Sequence, residues 1–267
     1  MEKHELNNST IIRNISTNQK EILMNIMKLY NDGLPFDCDI TASALKFYER
    51  PIDDEKFYVP EPRILFDVYP QMKKIHKIYP LKQLPLKDNS IHSVVVDLPF
   101  VISPPNCKSA VEGPDTSLKI YRRFSGFYPV GQLFSNYYHW LAECYRVLDD
   151  DGICIFKCQN TVSGGIEYST EEYSFMAAQD CGFYCIDKFI LRAKSVMISA
   201  AKYKEQQHAR KYTSTFFVFQ KTTKPKDTKV DYKAIIERER ANYIERAQTD
   251  TTEKFDADKF SNYKWLF

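Results

Sequence analysis

Four consecutive residues, Asp97-Leu98-Pro99-Phe100, combine groups that can act on a flat ring carrying an amine. A carboxylate and a neighbouring backbone carbonyl can accept hydrogen bonds from the two N–H groups of such an amine, which raises electron density on its nitrogen. An aromatic side chain can stack on the ring, and proline stiffens the turn that carries these groups. Taken alone, the tetrapeptide is more often an ordinary turn at the end of a strand than a functional motif.

The residues before the tetrapeptide place it at the end of a buried strand. Ser93–Asp97 is a β-branched run of the kind found in strands that are buried on both faces. Ligands of open α/β sheets bind at the carboxyl ends of strands, so this position favours a functional site. Apolar residues at helical spacing predict helices near 18–32, 131–148, 170–181 and 232–247, with the acidic run 149–152 capping the second. Further strands are predicted at 37–41, 63–68, 153–158, 183–191 and 214–220.

Strands that alternate with helices at these spacings predict an α/β fold with a largely parallel sheet. We expect three regions: a disordered N-terminal segment over 1–17, one domain over 18–221, and a linker with a charged helical tail over 222–267. The polar start of the chain contains no hydrophobic stretch typical of a secretory signal, and no apolar run approaches the roughly 18–20 residues of a membrane span. These features predict a cytoplasmic protein.

The net charge and the number of cysteines exclude further classes of function. The chain has 267 residues with a formal net charge of +2, so any nucleic-acid-binding surface must come from local clustering of basic residues. The 7 cysteines are odd in number and lie mostly in apolar runs, which predicts reduced, buried thiols and excludes a secreted disulfide scaffold. Two cysteine pairs are separated by four positions, Cys154 with Cys158 and Cys181 with Cys185. This spacing is more typical of core thiols on strands than of zinc ligands.

Three segments in order resemble one family of enzymes. They are Leu84–Ile91, the tetrapeptide at Asp97, and Trp140–Leu148 followed by Asp151–Ile153. Together they resemble the amino-group DNA methyltransferases of bacteria and phages, which use S-adenosylmethionine and act on N6 of adenine or N4 of cytosine. The resemblance extends over about 18–221 through five further segments, Asp39–Ser43 with Phe47-Tyr48, Phe66–Gln71, Phe156–Val162, Gly182–Tyr184 and Gln207–Tyr212.

The resemblance implies a Rossmann-like class I methyltransferase sheet with flanking helices and a bound S-adenosylmethionine. It implies that Asp39 and Thr41 lie at the methionine end of the cofactor, that Asp67 bonds the ribose hydroxyls, and that Pro85 and Leu86 flank the adenine. It also assigns the catalytic motif to Asp97, Leu98, Pro99 and Phe100. In this assignment Asp97 polarises the base amine and Phe100 stacks on a flipped base.

The reaction so implied is direct methyl transfer to an exocyclic DNA amine, with adenine N6 favoured over cytosine N4, and with no metal and no covalent enzyme intermediate. No Pro-Cys dipeptide occurs, so the covalent chemistry of carbon-5 cytosine methylation is excluded. Two positions depart from the family pattern: Leu98 stands where proline is usual, and Leu45 stands where the first motif has glycine.

Two basic stretches are candidates for contact with DNA. Lys119, Arg122 and Arg123 lie among aromatic residues in the loop after the tetrapeptide, where they suit phosphates and unpaired bases. His208, Arg210 and Lys211 lie in the second stretch, which would follow a DNA backbone. The alternatives are a loop whose aromatic residues pack on the sheet and, for the second stretch, a solvated linker.

Two other functions remain open from the sequence. One keeps the chemistry and moves the amine to RNA or to a protein amide. The other, motivated by Leu45 and Leu98, is a catalytically silent methyltransferase fold that binds DNA or supports an active partner. A homodimer, a partner subunit and an accompanying restriction enzyme are likewise open.

Overall fold

The structure, a computed structural model, describes residues 11–49, 57–100, 130–194, 208–222 and 230–249. Its helices are α1 (Gln19–Tyr30), α2 (Val130–Val147), α3 (Thr170–Cys181) and α4 (Tyr232–Thr249). Its first five strands are β1 (Ile15–Ser16), β2 (Cys38–Asp39), β3 (Ile64–Asp67), β4 (His76–Lys77) and β5 (Ile91–Asp97). The remaining strands are β6 (Leu148–Cys158), β7 (Thr161–Ser163), β8 (Ile166–Tyr168), β9 (Phe183–Arg192) and β10 (Thr213–Lys221).

Eight strands form one sheet in the order β1-β9-β10-β6-β5-β2-β3-β4, and β7 and β8 form a separate hairpin. Neighbouring strands of the large sheet are parallel except at β10, which is antiparallel to both β6 and β9. From β2 the chain builds outward through β3 to β4, and from β5 it builds in the opposite direction. The direction of winding therefore reverses between β2 and β5, as in doubly wound nucleotide-binding sheets, and the predicted Rossmann-like α/β fold is confirmed.

Each face of the sheet carries its own apolar core. Val94 and Val96 of β5 pack in the core that contains α2 and α3, whereas Val95 packs in the core that contains α1. The same alternation separates Phe156 from Ile155 in β6. Residues buried on both faces of a strand gain transfer free energy from two layers, which explains the continuous β-branched run in β5.

Residues typical of helix caps lie at the ends of α1 and α3. Asn18 precedes α1, and its side chain accepts a hydrogen bond from the Lys20 amide. Beyond the other end, Gly33 has φ +72° and donates its amide to the Met27 carbonyl. Gly182 ends α3 with φ +108°, as the sequence predicts for a glycine at this place.

Two local predictions are wrong. Ile15 and Ser16 lie in the segment predicted to be disordered, but they form β1 and pair in parallel with β9, where the Ile190 amide donates to the Asn14 carbonyl. The run 149–152 does not cap a helix: it lies inside β6, which begins directly after α2. There Gly152 lies so close to the neighbouring strand that a Cβ atom would be 2.9 Å from the His92 carbonyl oxygen.

The described residues between β2 and β5 contain no helix. On this side of the sheet β2 and β4 have 2 residues each and β3 has 4, whereas β5 has 7 and β6 has 11. The loops after β2 and β3 are therefore ordered by hydrogen bonds to Asp39 and Asp67 and by buried side chains such as Leu45.

The chain divides into two compact units, Met1–Thr223 and Lys224–Phe267. The sheet belongs to the first unit. In the second unit the structure describes α4, whose side chains Ile236, Tyr243 and Ile244 are exposed.

Candidate active site

The candidate active site lies where the winding of the sheet reverses, at the carboxyl ends of β2 and β5. The two strands are paired, with Asp39 opposite Val95, so Asp97 lies two residues beyond the partner of Asp39. Asp39, Val95 and Asp97 project from the same face of the sheet by the alternation of strands. Two of the predicted site carboxylates are thus brought together at the place where such folds bind ligands.

A chain of hydrogen bonds joins these two carboxylate residues. The Asp97 amide donates to Thr41 Oγ1 at 2.7 Å, and Thr41 Oγ1 donates to Asp39 Oδ1 at 3.0 Å. Asp39 Oδ1 also accepts the Thr41 amide at 2.7 Å, and its Oδ2 accepts the Tyr48 hydroxyl at 2.7 Å. The backbone of the catalytic motif is therefore fixed by the residues that the resemblance assigns to the cofactor.

Asp39 is an unusual carboxyl because it is only 1% exposed. Burial raises its pKa to about 7, although the hydrogen bonds from Tyr48 and Thr41 act to lower it, and the charge of Asp67 raises it further. Burial and the neighbouring Asp39 also raise the pKa of Tyr48 well above its ordinary value, so the phenol remains a hydrogen-bond donor. The Asp39 carboxyl can therefore change its charge near neutral pH.

Asp67, at the end of β3, organises two loops. Its Oδ2 accepts the Ser43 amide at 2.7 Å and its Oδ1 accepts the Tyr69 amide at 2.6 Å. Burial raises its pKa, and the two backbone hydrogen bonds oppose that change. Each carboxylate oxygen has a second acceptor site, so Asp67 is chemically suited to accept sugar hydroxyls as well.

Leu45, the residue at the glycine position of the first motif, keeps the backbone conformation that glycine favours. Its φ is +58°, in the left-handed region, and its side chain is buried in the core on the α1 face with Leu65 and Val95. The conformation costs about 1–2 kcal/mol for a residue with a side chain. Because the Leu45 side chain packs into this core, the loop after β2 retains the glycine-like path that lets backbone approach a cofactor.

The catalytic motif is anchored in the core on its other side. Leu98, which stands where the family pattern has proline, is buried in the core that contains α2. The Pro99 carbonyl accepts a hydrogen bond from the Tyr137 hydroxyl at 3.4 Å. Phe100 is half-buried at the end of the described segment. Core packing by Leu98 thus supplies stiffness that proline would otherwise give to the turn.

Sequence reasoning assigned no role to Lys157, which forms an ion pair with Asp97. Lys157 stands opposite Asp97 in the parallel pairing of β5 with β6, and its Nζ lies 2.9 Å from Asp97 Oδ2. A lysine inside the otherwise apolar run Ile153–Cys158 was the signal that could have identified it. Phe47 and Tyr48 also lie beside these residues. The Phe47 ring faces Lys157 Nζ, and the Tyr48 hydroxyl donates to Asp39.

Pro85 and Leu86 lie apart from the other predicted cofactor residues. Arg146, in the last turn of α2, donates to the carbonyls of Leu84 and Leu86, and Glu143 accepts the Leu84 amide. Because α2 leads directly into the start of β6, this segment lies toward the amino ends of the strands, opposite the edge that carries Asp97. Burial opposes ionisation of Glu143, but hydrogen bonds from Arg146 and the Leu84 amide lower its pKa, so this pair clamps the segment in its ionised form.

One of the predicted DNA-binding stretches lies at the edge of the sheet where β6 ends. β10 runs antiparallel to β6, so its start lies at the edge where β6 ends, and Gln159 Nε2 donates to the Lys211 carbonyl at 3.3 Å. Lys211 Nζ pairs with Glu167 Oε1 of the β7–β8 hairpin at 2.7 Å, and Arg210 and His208 are exposed. Lys119, Arg122 and Arg123 lie outside the described residues.

The described ranges contain neither a metal-binding cluster nor a membrane-spanning helix. No group of three or more His, Cys, Asp or Glu side chains there is arranged to hold a metal ion. No described helix is long and apolar enough to cross a membrane. Four of the six described cysteines are buried and two are half-buried, in agreement with the prediction of core thiols.

Comparison with protein families gives one match, to a model described as DNA methylase of the N6/N4 type, over residues 91–265. The matched region begins at β5 and therefore includes Asp97–Phe100 and Lys157 but not Asp39 or Asp67. A search of curated proteins found no match.

Comparison with solved structures gives matches to methyltransferases at low similarity. The PvuII cytosine-N4-specific DNA methyltransferase is 16% identical with a TM-score of 0.38, covering 53% of this chain and 46% of its own. A putative DNA modification methylase from Thermus thermophilus, solved with S-adenosyl-L-methionine, is 16% identical with a TM-score of 0.31, covering 53% of this chain and 52% of its own. A SAM-dependent methyltransferase from Methanosarcina mazei is 12% identical with a TM-score of 0.32, covering 70% of this chain and 81% of its own. The chain thus spans about half the length of the first two, and these values are too low to support an inference about substrates.

Proposed function

Because the chain belongs to the N6/N4 family of DNA methylases, we propose that it transfers a methyl group from S-adenosylmethionine to an exocyclic amine of a DNA base. The observation that carries the proposal is the hydrogen-bond chain from the Asp97 amide through Thr41 to Asp39. Methyl transfer requires donor and acceptor to be held close together and in line. These hydrogen bonds link the carboxyl end of β2, which is suited to the methyl donor, directly to the carboxyl end of β5, which is suited to the amine.

The residues at the ends of β2 and β3 fit the cofactor. Asp39 and Thr41 would face its methionine end, and Asp67 would accept its ribose hydroxyls. The left-handed backbone at Leu45 supports this fit because it preserves the loop path expected of a glycine. When bound, S-adenosylmethionine supplies an electrophilic methyl group. The proposal does not extend to Pro85 and Leu86, which are held against the end of α2.

The tetrapeptide after β5 fits the amine. Asp97 Oδ1 and the Leu98 carbonyl would accept its two N–H groups, and Phe100 would stack on the base after it is flipped out of the helix. Oδ2 of Asp97 is already bound by Lys157, which leaves Oδ1 to the amine. We take N6 of adenine as the first substrate to test and N4 of cytosine as the second.

DNA would approach across the start of β10. Arg210, Lys211 and His208 would contact phosphates there, and Lys119, Arg122 and Arg123 are proposed to contribute to the same interaction. Such contacts make binding fall steeply with salt. A substrate of this kind implies an intracellular site of action.

The test is calorimetric titration of the purified chain with S-adenosylmethionine, followed by methyl transfer to unmethylated DNA with analysis of the product nucleosides. We expect Asp67→Asn to weaken cofactor binding about 10- to 100-fold, because one hydrogen bond to a charged group is lost. We expect Asp97→Ala to bind the cofactor normally and to lose turnover. Asp150→Asn, an exposed carboxylate at the opposite end of β6, is the matched control.

The outcomes separate the alternatives. A folded wild-type chain that binds no cofactor would favour a silent methyltransferase fold that binds DNA or supports a partner. Methylation of RNA or of a protein amide, with no methylated deoxynucleoside, would retain the chemistry and reject the DNA substrate.

A further inference from the structure

Lys157 is an ammonium group in an apolar setting. It lies in β6 between Phe156 and Cys158, both fully buried, and its own side chain is 12% exposed. By strand alternation it projects from the face that Asp97 also uses, and the two residues are direct partners in the β5–β6 pairing. The ion pair between Lys157 Nζ and Asp97 Oδ2 is therefore set by the register of the sheet.

Aromatic rings close the other sides of this ammonium group. Lys157 Nζ lies 5.3 Å from the centroid of the Phe47 ring and 5.5 Å from that of Phe216. Both distances are within the range of a cation–π interaction. The rings and the single carboxylate offset part of the cost of removing the charge from water. Folding alone gives no reason for this arrangement, since an apolar side chain in place of a buried ion pair is often neutral or stabilising.

We propose that Lys157 is the positioning residue of the catalytic motif, acting through Asp97. This inference rests on the proposed methyl transfer. By holding Oδ2, Lys157 fixes the rotation of the carboxyl so that Oδ1 is directed to the base amine. With Oδ2 held in this way, Oδ1 and the Leu98 carbonyl remain as acceptors for the two N–H groups of the amine.

The experiment compares Lys157→Met, which keeps length and loses charge, with Lys157→Arg, which keeps charge. Lys188→Met is the matched control because Lys188 also pairs with a carboxylate and lies 5.4 Å from a ring centroid, at Glu171 and Phe217. The measurements are cofactor Kd, KM for DNA, and kcat. For Lys157→Met we expect unchanged cofactor Kd and kcat reduced about 10- to 100-fold, because the Asp97 carboxyl is no longer held in one rotation.

Lys157→Arg is expected to restore most of the wild-type kcat, and Lys188→Met to match wild type throughout. Should Lys157→Met fail to fold, Lys157→Gln takes its place with the same expected loss of kcat. A wild-type kcat in folded Lys157→Met or Lys157→Gln, or a loss that Lys157→Arg does not restore, overturns the inference while wild-type turnover upholds the proposed function. No turnover by wild type overturns the proposed function and the inference with it.

Discussion

Replacing Asp39 by asparagine is expected to remove the pH dependence that this buried carboxyl gives to the free energy of unfolding. Its pKa is about 7 in the folded protein against an ordinary value of 3.8, with burial as the main cause. The unfolded chain therefore loses this proton near pH 4, while the folded chain holds it until about pH 7. Between these values the folded state binds more protons, so the carboxyl makes the folded protein progressively less stable as pH rises.

The magnitude follows from the difference in pKa. About three units at 1.36 kcal/mol each correspond to about 4 kcal/mol in total, of which about 3 kcal/mol develops between pH 5 and pH 8. Asparagine cannot ionise, and its side-chain oxygen can still accept the Thr41 amide and hydroxyl. Relative to wild type, Asp39→Asn is therefore expected to gain about 3 kcal/mol in free energy of unfolding between pH 5 and pH 8.

The assay is urea unfolding at pH 5, 6.5 and 8 for wild type, Asp39→Asn and Asp150→Asn. The Asp150 variant controls for loss of one exposed carboxylate and should track wild type across the range. If the difference between Asp39→Asn and wild type is the same at pH 5 and pH 8, the carboxyl does not hold its proton in the folded state and this reasoning is refuted.

Two structural predictions concern residues outside the site. Gly182→Ala should lower the free energy of unfolding by about 2–4 kcal/mol, because φ is +108° and a Cβ would lie 2.8 Å from the Tyr145 ring; Gly33→Ala, with φ +72° and open space, should cost about 1 kcal/mol. Equal costs in urea unfolding would contradict the predicted clash. Arg146→Met should cost about 2–4 kcal/mol because it leaves a buried carboxylate unpaired, whereas Arg63→Met, in an exposed pair, should cost less than about 1 kcal/mol. A loss in Arg146→Met no larger than that in Arg63→Met would show that the segment before β5 is held by other contacts.

The sequence predicted the long elements well because their signals are local. The β-branched run of β5 and the helical spacing of α2 each specify one structure without knowledge of distant residues. The predicted disorder near Ile15 failed because β1 exists only through its pairing with β9, which no local pattern reveals. The run at 149–152 was misread for the same reason: pairing with β5 makes it a strand despite its turn-like composition.

The candidate site shows the same division. Asp97 was predicted because a strand end followed by an acid, a proline and an aromatic residue is visible in sequence. Its partner Lys157 lies 60 positions away and becomes visible only when the register of β5 against β6 is known. At position 45 the sequence shows only that leucine replaces the glycine of the family pattern. The structure shows that the backbone keeps a left-handed φ at Leu45 while its side chain joins the core.

The two halves of the sheet are held together by different means, and this affects how ligand binding and stability are coupled. β5 and β6 are long strands with a long ladder between them, whereas β2 and β3 are short, and the loops that follow them depend in part on backbone amides that donate to Asp39 and Asp67. Because short strands contribute few ladder hydrogen bonds, this half is expected to open at lower free energy than the half built on β6. The carboxylates proposed to bind the cofactor are thus the same groups that order its side of the sheet. Cofactor binding should therefore stabilise this half of the sheet more than the half built on β6.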